Sequence, residues 1–130
     1  MSFVPSTLYY LSSAINAVSI PGHIAAGRRS LKPALQRIPS TPDVALGRIS
    51  ATVAWDMVNA LLATSALLNY LLAKNGGPKT VKEAAIVGTS VLAGAFVGWR
   101  FFKVKFYRPL SCLWVAPALS LPAMLWQHYV

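Results

Sequence analysis

The stretch Ile49–Ala73, ISATVAWDMVNALLATSALLNYLLA, decides the fold class. It is longer than the roughly 20 apolar residues a helix needs to cross the hydrocarbon core of a bilayer. It carries a single charge, Asp56. Three further apolar runs accompany it. Val81–Phe102 is nearly as apolar, and Tyr107–Tyr129 is interrupted by Pro117 and Pro122, which membrane helices tolerate where neighbours take up the freed carbonyls. Pro5–Ala26 is the most polar, with Ser12, Ser13, Asn16, Ser19 and His23 inside it. Its Pro21-Gly22 pair is expected to kink or end the helix. The reading is an all-α polytopic integral membrane protein. A single transmembrane domain, 1–130, forms a four-span antiparallel helix bundle with spans near 5–26, 49–73, 81–102 and 107–129.

Composition agrees. Hydrophobic residues make up 55% of the chain and charged residues 12%, against about a quarter charged in soluble domains. The net charge of +9 would suggest nucleic acid in a soluble protein. Here the basic residues sit at the ends of apolar runs, where they meet anionic lipid headgroups. No basic stripe interleaved with aromatics and no binding motif is present, so no nucleic-acid partner is expected. Cys112 is the only cysteine, which excludes an internal disulfide and suits a packing residue. No basic segment precedes the first apolar run, so that run is expected to stay in the mature protein.

The connections carry local signals. Gly27–Arg48 is the longest, and within it Leu31, Ala34, Leu35 and Ile38 keep helical spacing among Arg28, Arg29, Lys32 and Arg37. A short helix on the membrane surface and a solvated basic loop both fit. Thr41-Pro42-Asp43 reads as a helix start, with Thr41 as N-cap and Pro42 in the first turn. Asn75-Gly76-Gly77-Pro78 reads as a stop and tight turn. Thr80 and Glu83 have capping-box spacing. Short connections predict that sequential helices are antiparallel neighbours.

Basic residues set the orientation. The first loop holds Arg28, Arg29, Lys32, Arg37 and Arg48, and the third holds Arg100, Lys103, Lys105 and Arg108. The second holds Lys74, Lys79 and Lys82, and the termini hold none. Nine against three places loops one and three on the cytoplasmic side and both termini on the non-cytoplasmic side.

Ionisable groups within apolar spans are functional candidates. The expected topology puts His23, Asp56 and Arg100 in one leaflet. Ser12, Asn16, Ser19 and His23 form one polar stripe, and Thr52, Asp56 and Asn59 form a second. Such stripes avoid lipid and are expected to face each other or a cavity. Gly94 and Gly98 have the small-xxx-small spacing of close helix contacts. On the functional reading, His23 and Asp56 are a catalytic acid/base pair. Asn16 and Asn59 position the substrate, and Trp55, Trp99, Tyr107 and Arg100 line its site. On the structural reading, Asp56 pairs with Arg100 or His23 to be tolerated in lipid, and the tryptophans are interfacial. His128 is expected at the far interface. Two histidines without a cysteine cluster argue against a metal site, and no cofactor motif is present.

The functional expectation is a small integral membrane enzyme acting on a lipophilic small molecule by acid/base isomerisation, cyclisation or oxidation. The alternative is a non-catalytic accessory or assembly subunit. Its partners would be the lipid bilayer, other copies of the chain, or the proteins of a membrane complex. In size and span number the chain is similar to small four-helix membrane enzymes such as sterol isomerases of the emopamil-binding type and fungal anthrone oxygenases. No motif of either falls on these residues, and no residue role carries over.

Overall fold

The structure is a computed structural model that describes the backbone of residues 3–129 and the side chains of residues 4–126. The position expected for the His128 side chain lies outside the described residues. The chain is 87% helical, with no strand among the described residues. The helices are α1 (Phe3–Ala26), α2 (Lys32–Gln36), α3 (Pro42–Asn75), α4 (Val81–Lys103) and α5 (Ala116–Tyr129). Two π-helical turns, Gly27–Leu31 and Ser111–Val115, lead directly into α2 and α5. Each precedes a helical proline by two residues, Pro33 and Pro117. A proline ring clashes with the carbonyl four residues before it, and widening that turn gives the carbonyl room.

Several starts and stops are the expected ones. Thr41 is the N-cap residue of α3 in extended conformation, with Pro42 in the first turn. Its hydroxyl bonds the Asp43 carboxylate rather than a backbone amide and, as the main cause, holds that carboxyl below its usual range. Such a depressed carboxyl favours the folded helix end above its unfolded pKa, and the effect fades as pH falls through the folded one. Thr80 and Glu83 form both bonds of a capping box. Gly76 ends α3 at φ 71°, and the Gly77 amide, at φ 94°, returns to the Leu72 carbonyl at 2.7 Å. These left-handed angles are open to glycine at little cost.

The first helix ends where the span 5–26 was expected to end: Pro21-Gly22 does not stop α1, which runs through to Ala26. Gly22 is not among the glycines at positive φ, so it supplies no left-handed cap, and Pro21 removes a single amide without stopping the coil. The segment Gly27–Gln36 is helical, extending the arm of α1.

Helix pairing also departs from the expected order. α1 is central, with α3 packed on it and α5 packed beside it. α4 packs on α5 and on the Ser111–Val115 turn, and hardly touches α3. The core lies where all four long helices meet, near the α3–α4 turn: Tyr9 of α1, Leu72 and Ala73 of α3, Val87 of α4 and Ala123 of α5.

A polar cluster ties three helices together just inside this core. Ser120 donates to Asn69 Oδ1 at 2.7 Å and is hydrogen-bonded to Ser12 Oγ at 3.0 Å. Ser13 donates to the Ala66 carbonyl at 2.7 Å. Ser12, Asn69 and Ser120 are all buried. Ser120→Ala leaves Asn69 Oδ1 buried without its partner. It should cost about 1–3 kcal/mol if that group stays dry, and nearer about 0.6 kcal/mol if the loosened helices find other partners in lipid. Detergent-titrated unfolding of the two proteins would measure this.

Two helices, Pro42–Asn75 and Val81–Lys103, are long and apolar enough to cross a membrane. Only 6% and 17% of their most apolar windows are buried within the chain, so their apolar faces point outward. α3, with 34 residues, is roughly 51 Å long at 1.5 Å per residue, well beyond the about 30 Å of a bilayer core.

Candidate functional site in the helical hairpin

The arm made of α1, the π turn and α2 folds back on α3 as one long hairpin. Ser13 meets Ala66 and His23 meets Trp55, so the arms run antiparallel in a constant register. They stay in contact as far as Trp55 and separate beyond it, around an open groove of about 980 Å³ that reaches one turn further in, to Asn59.

Trp55 is the pivot where the arms part. His23 stacks on its indole with centroids 4.2 Å apart and planes 15° from parallel. His23 Nε2 lies 2.8 Å from the Trp55 backbone carbonyl, to which it donates in the matching tautomer. Gly27 lies directly over the indole nitrogen, where a side chain would overlap it. That nitrogen is buried without a hydrogen-bond partner. The π turn begins at Gly27, and such turns recur where a helix is adapted to a site.

The groove wall is largely apolar, with Ile24, Leu31, Ile49 and Val53 among its lining residues. At its inner end Thr52, Asp56 and Asn59 line one side, as their spacing on one helix face predicts. Asp56 is exposed there and forms no ion pair among the described residues. Asn59 Oδ1 is buried with no partner. Nearer the mouth stand Arg28, Lys32 and Arg48, and Arg48 also bonds the Ser40 hydroxyl.

The expected site residues therefore divide. Asp56, Asn59 and Trp55 come together in the groove. His23 adjoins them but is hydrogen-bonded to the Trp55 carbonyl, so a His23–Asp56 hydrogen bond is not formed. The reason is angular: successive helix residues point about 100° apart, and α1 meets the face of α3 that carries Trp55. Asn16 is buried elsewhere, donating to the Ser12 carbonyl at 2.9 Å. Arg100 is exposed on α4 with its guanidinium 5.4 Å from the Phe96 ring centroid. Trp99 stacks on Phe102, and Tyr107 meets Phe102 edge-on. Arg100, Trp99 and Tyr107 lie outside the groove lining, because α4, which carries the first two and leads into the third, packs on α5, not on α3. The two polar stripes do not face each other. Ser12 engages Ser120, while the stripe on α3 faces the groove.

Sequence reading passed over Asn69, Ser120 and Gly27. The first two are uncharged polar residues in the middle of apolar runs, which is a readable signal. The closeness of Gly27 to Trp55 had none, since it depends on the hairpin register.

The fold and groove define a class: an all-helical protein with two helices able to cross a membrane and an apolar, partly cationic cleft between one of them, α3, and the arm of α1 and α2. Comparison with known protein families, with curated proteins and with solved structures finds no match.

Proposed function

We propose that the chain is a four-span integral membrane protein that takes a lipophilic small molecule into the hairpin groove and acts on it by acid/base chemistry. The observation that carries this is Asp56, unpaired in the wall of an apolar groove beside the unpartnered Asn59 Oδ1. An ionised carboxylate facing lipid costs about 2.5–3.5 kcal/mol on insertion scales. A groove open to water at one end removes that cost and leaves the carboxylate free to react.

Asp56 is the proton acceptor and donor of the proposed reaction. In an isomerisation it takes a proton from one carbon of the substrate and returns it to another, so the balance needs no second reactant. Asn59 holds a substrate hydroxyl or amide through Oδ1. His23 is a positioning residue that fixes Trp55, and Trp55 supplies an apolar wall. A volume of about 980 Å³ lies at the upper end of the about 300–1,000 Å³ usual for small-molecule sites.

Asp56→Asn keeps the shape and removes the proton chemistry. Lipid extracts of cells expressing the two proteins at equal levels, compared by chromatography and mass spectrometry, should differ in one pair of equal-mass species. Identical profiles would count against catalysis. They would favour the second reading, a non-catalytic subunit of a larger membrane complex or a homo-oligomer. That reading draws on the exposed stripe of α4 formed by Leu92, Phe96 and Trp99, which are 73%, 67% and 52% exposed.

The proposed topology places both termini and the α3–α4 turn on the non-cytoplasmic side, by the positive-inside rule. Tags at the two ends should show the same protease protection in sealed vesicles. Opposite protection would mean an odd number of spans.

A further inference from the structure

The groove is polarised along its length. Lys32 and Arg48 face it from opposite arms near the mouth, with Arg28 on the same arm as Lys32. Asp56 stands eight residues beyond Arg48 on α3, roughly 12 Å along the helix axis. Between them the α3 lining is apolar apart from Thr52, with Ile49 and Val53. One acid thus faces three cations in this cleft. No described residue forms an ion pair with Arg28, Lys32 or Arg48 across the groove.

We propose that the groove selects a single-chain anionic amphiphile, a long-chain carboxylate, seated with its head group between Lys32 and Arg48 and its chain pointing toward Trp55. This rests on the reading of the groove as a site for a lipophilic molecule and adds the charge and direction of the ligand. Arginine and lysine bind a carboxylate through charge-assisted hydrogen bonds, and the apolar wall accepts the chain. Asp56 repels an anion placed at the inner end, which sets the direction. The carbon that Asp56 would reach lies about a dozen ångströms from the head group, as the helical rise dictates. The volume, about 980 Å³, matches one small molecule.

The test uses the full chain in zwitterionic nanodiscs, with Trp99, Trp114 and Trp126 changed to Phe so that Trp55 reports alone. The probes are a brominated sixteen-carbon fatty acid, at a pH where it is ionised, and the brominated alcohol of equal length. The acid should quench Trp55 saturably and bind at least about tenfold more tightly than the alcohol. Lys32→Glu with Arg48→Glu should remove that preference and leave the alcohol unchanged. Equilibrium dialysis of unbrominated acid and alcohol against the wild-type chain gives the same comparison without any substitution. Equal binding of acid and alcohol would overturn the charge selection while the groove reading stood. If neither saturates, the groove reading itself fails. If brominated phospholipid of the nanodisc quenches Trp55 and the acid does not displace it, the occupant is a bilayer lipid and the proposal is wrong.

Discussion

Gly94→Ala is expected to destabilise the bundle by about 1–3 kcal/mol, and Gly94→Leu by more, as overpacking of a close contact does. A methyl at Gly94 would overlap the backbone carbonyl of Leu113. That carbonyl stands four residues before Pro117, so the amide that would bond it in an α-helix is missing. Gly94 lets α4 close on that carbonyl. Backbone cannot rotate away as a side chain can, so the helices must separate. The nearest atoms to a methyl at Gly98 belong to the Trp114 indole, a side chain that can swing, so Gly98→Ala should cost less while shifting Trp114 fluorescence. Gly88 is the internal control. Nothing lies within 4 Å of a methyl there, and alanine should be neutral or up to about 1 kcal/mol stabilising through helix propensity. Detergent-titrated unfolding of the three variants would rank them, and equal effects at 88 and 94 would contradict the packing described.

Gly27→Val should disable the site without altering any charged residue. The branched side chain would overlap the Trp55 indole nitrogen and the ring atoms beside it. Displacing the indole breaks its stack on His23, worth about 0.5–1.5 kcal/mol, and adds an overpacking cost of about 1–3 kcal/mol. The hairpin arms then part at the pivot and the inner end of the groove loses its wall. The expected result is the same change in the pair of equal-mass lipid species as Asp56→Asn gives, with His23 ring resonances shifted toward those of an unstacked imidazole. Unchanged His23 resonances in Gly27→Val would show that the pivot is not where the structure places it.

Features fixed by local chemistry were legible in the sequence. The glycine pair at the end of α3, the Thr80–Glu83 box and the Thr41-Pro42 start each depend on residues a few positions apart. So did the Gly94 and Gly98 spacing, because a small face can only be used by a close neighbour. What depends on which helix meets which was not legible. The short turn at Asn75–Pro78 correctly predicts antiparallel α3 and α4, yet their packing partners are α1 and α5, since loop length limits direction more than contact. The polar stripe of α1 was visible, but its partners Asn69 and Ser120 follow from a register no local signal encodes. The same limit separates His23 from Asp56. A difference of one residue on α3 decides whether the imidazole meets the carboxylate or the neighbouring tryptophan.

We propose that α3 lies in the bilayer toward its C-terminal end and forms the wall of a water-accessible groove toward its N-terminal end. Single cysteines placed along α3 in a Cys112→Ser background test it most directly. Ile49, Val53, Leu61, Leu67 and Leu71 are 62%, 55%, 59%, 64% and 53% exposed on the isolated chain, so burial within the protein does not distinguish them. In sealed vesicles a membrane-impermeant maleimide should label cysteines at Ile49 and Val53 from the cytoplasmic side, with the long-chain carboxylate slowing the reaction. Cysteines at Leu61, Leu67 and Leu71 should stay unlabelled until the membrane is dissolved. Labelling at all five positions in intact vesicles would contradict the account, because α3 would then lie in water along its whole length.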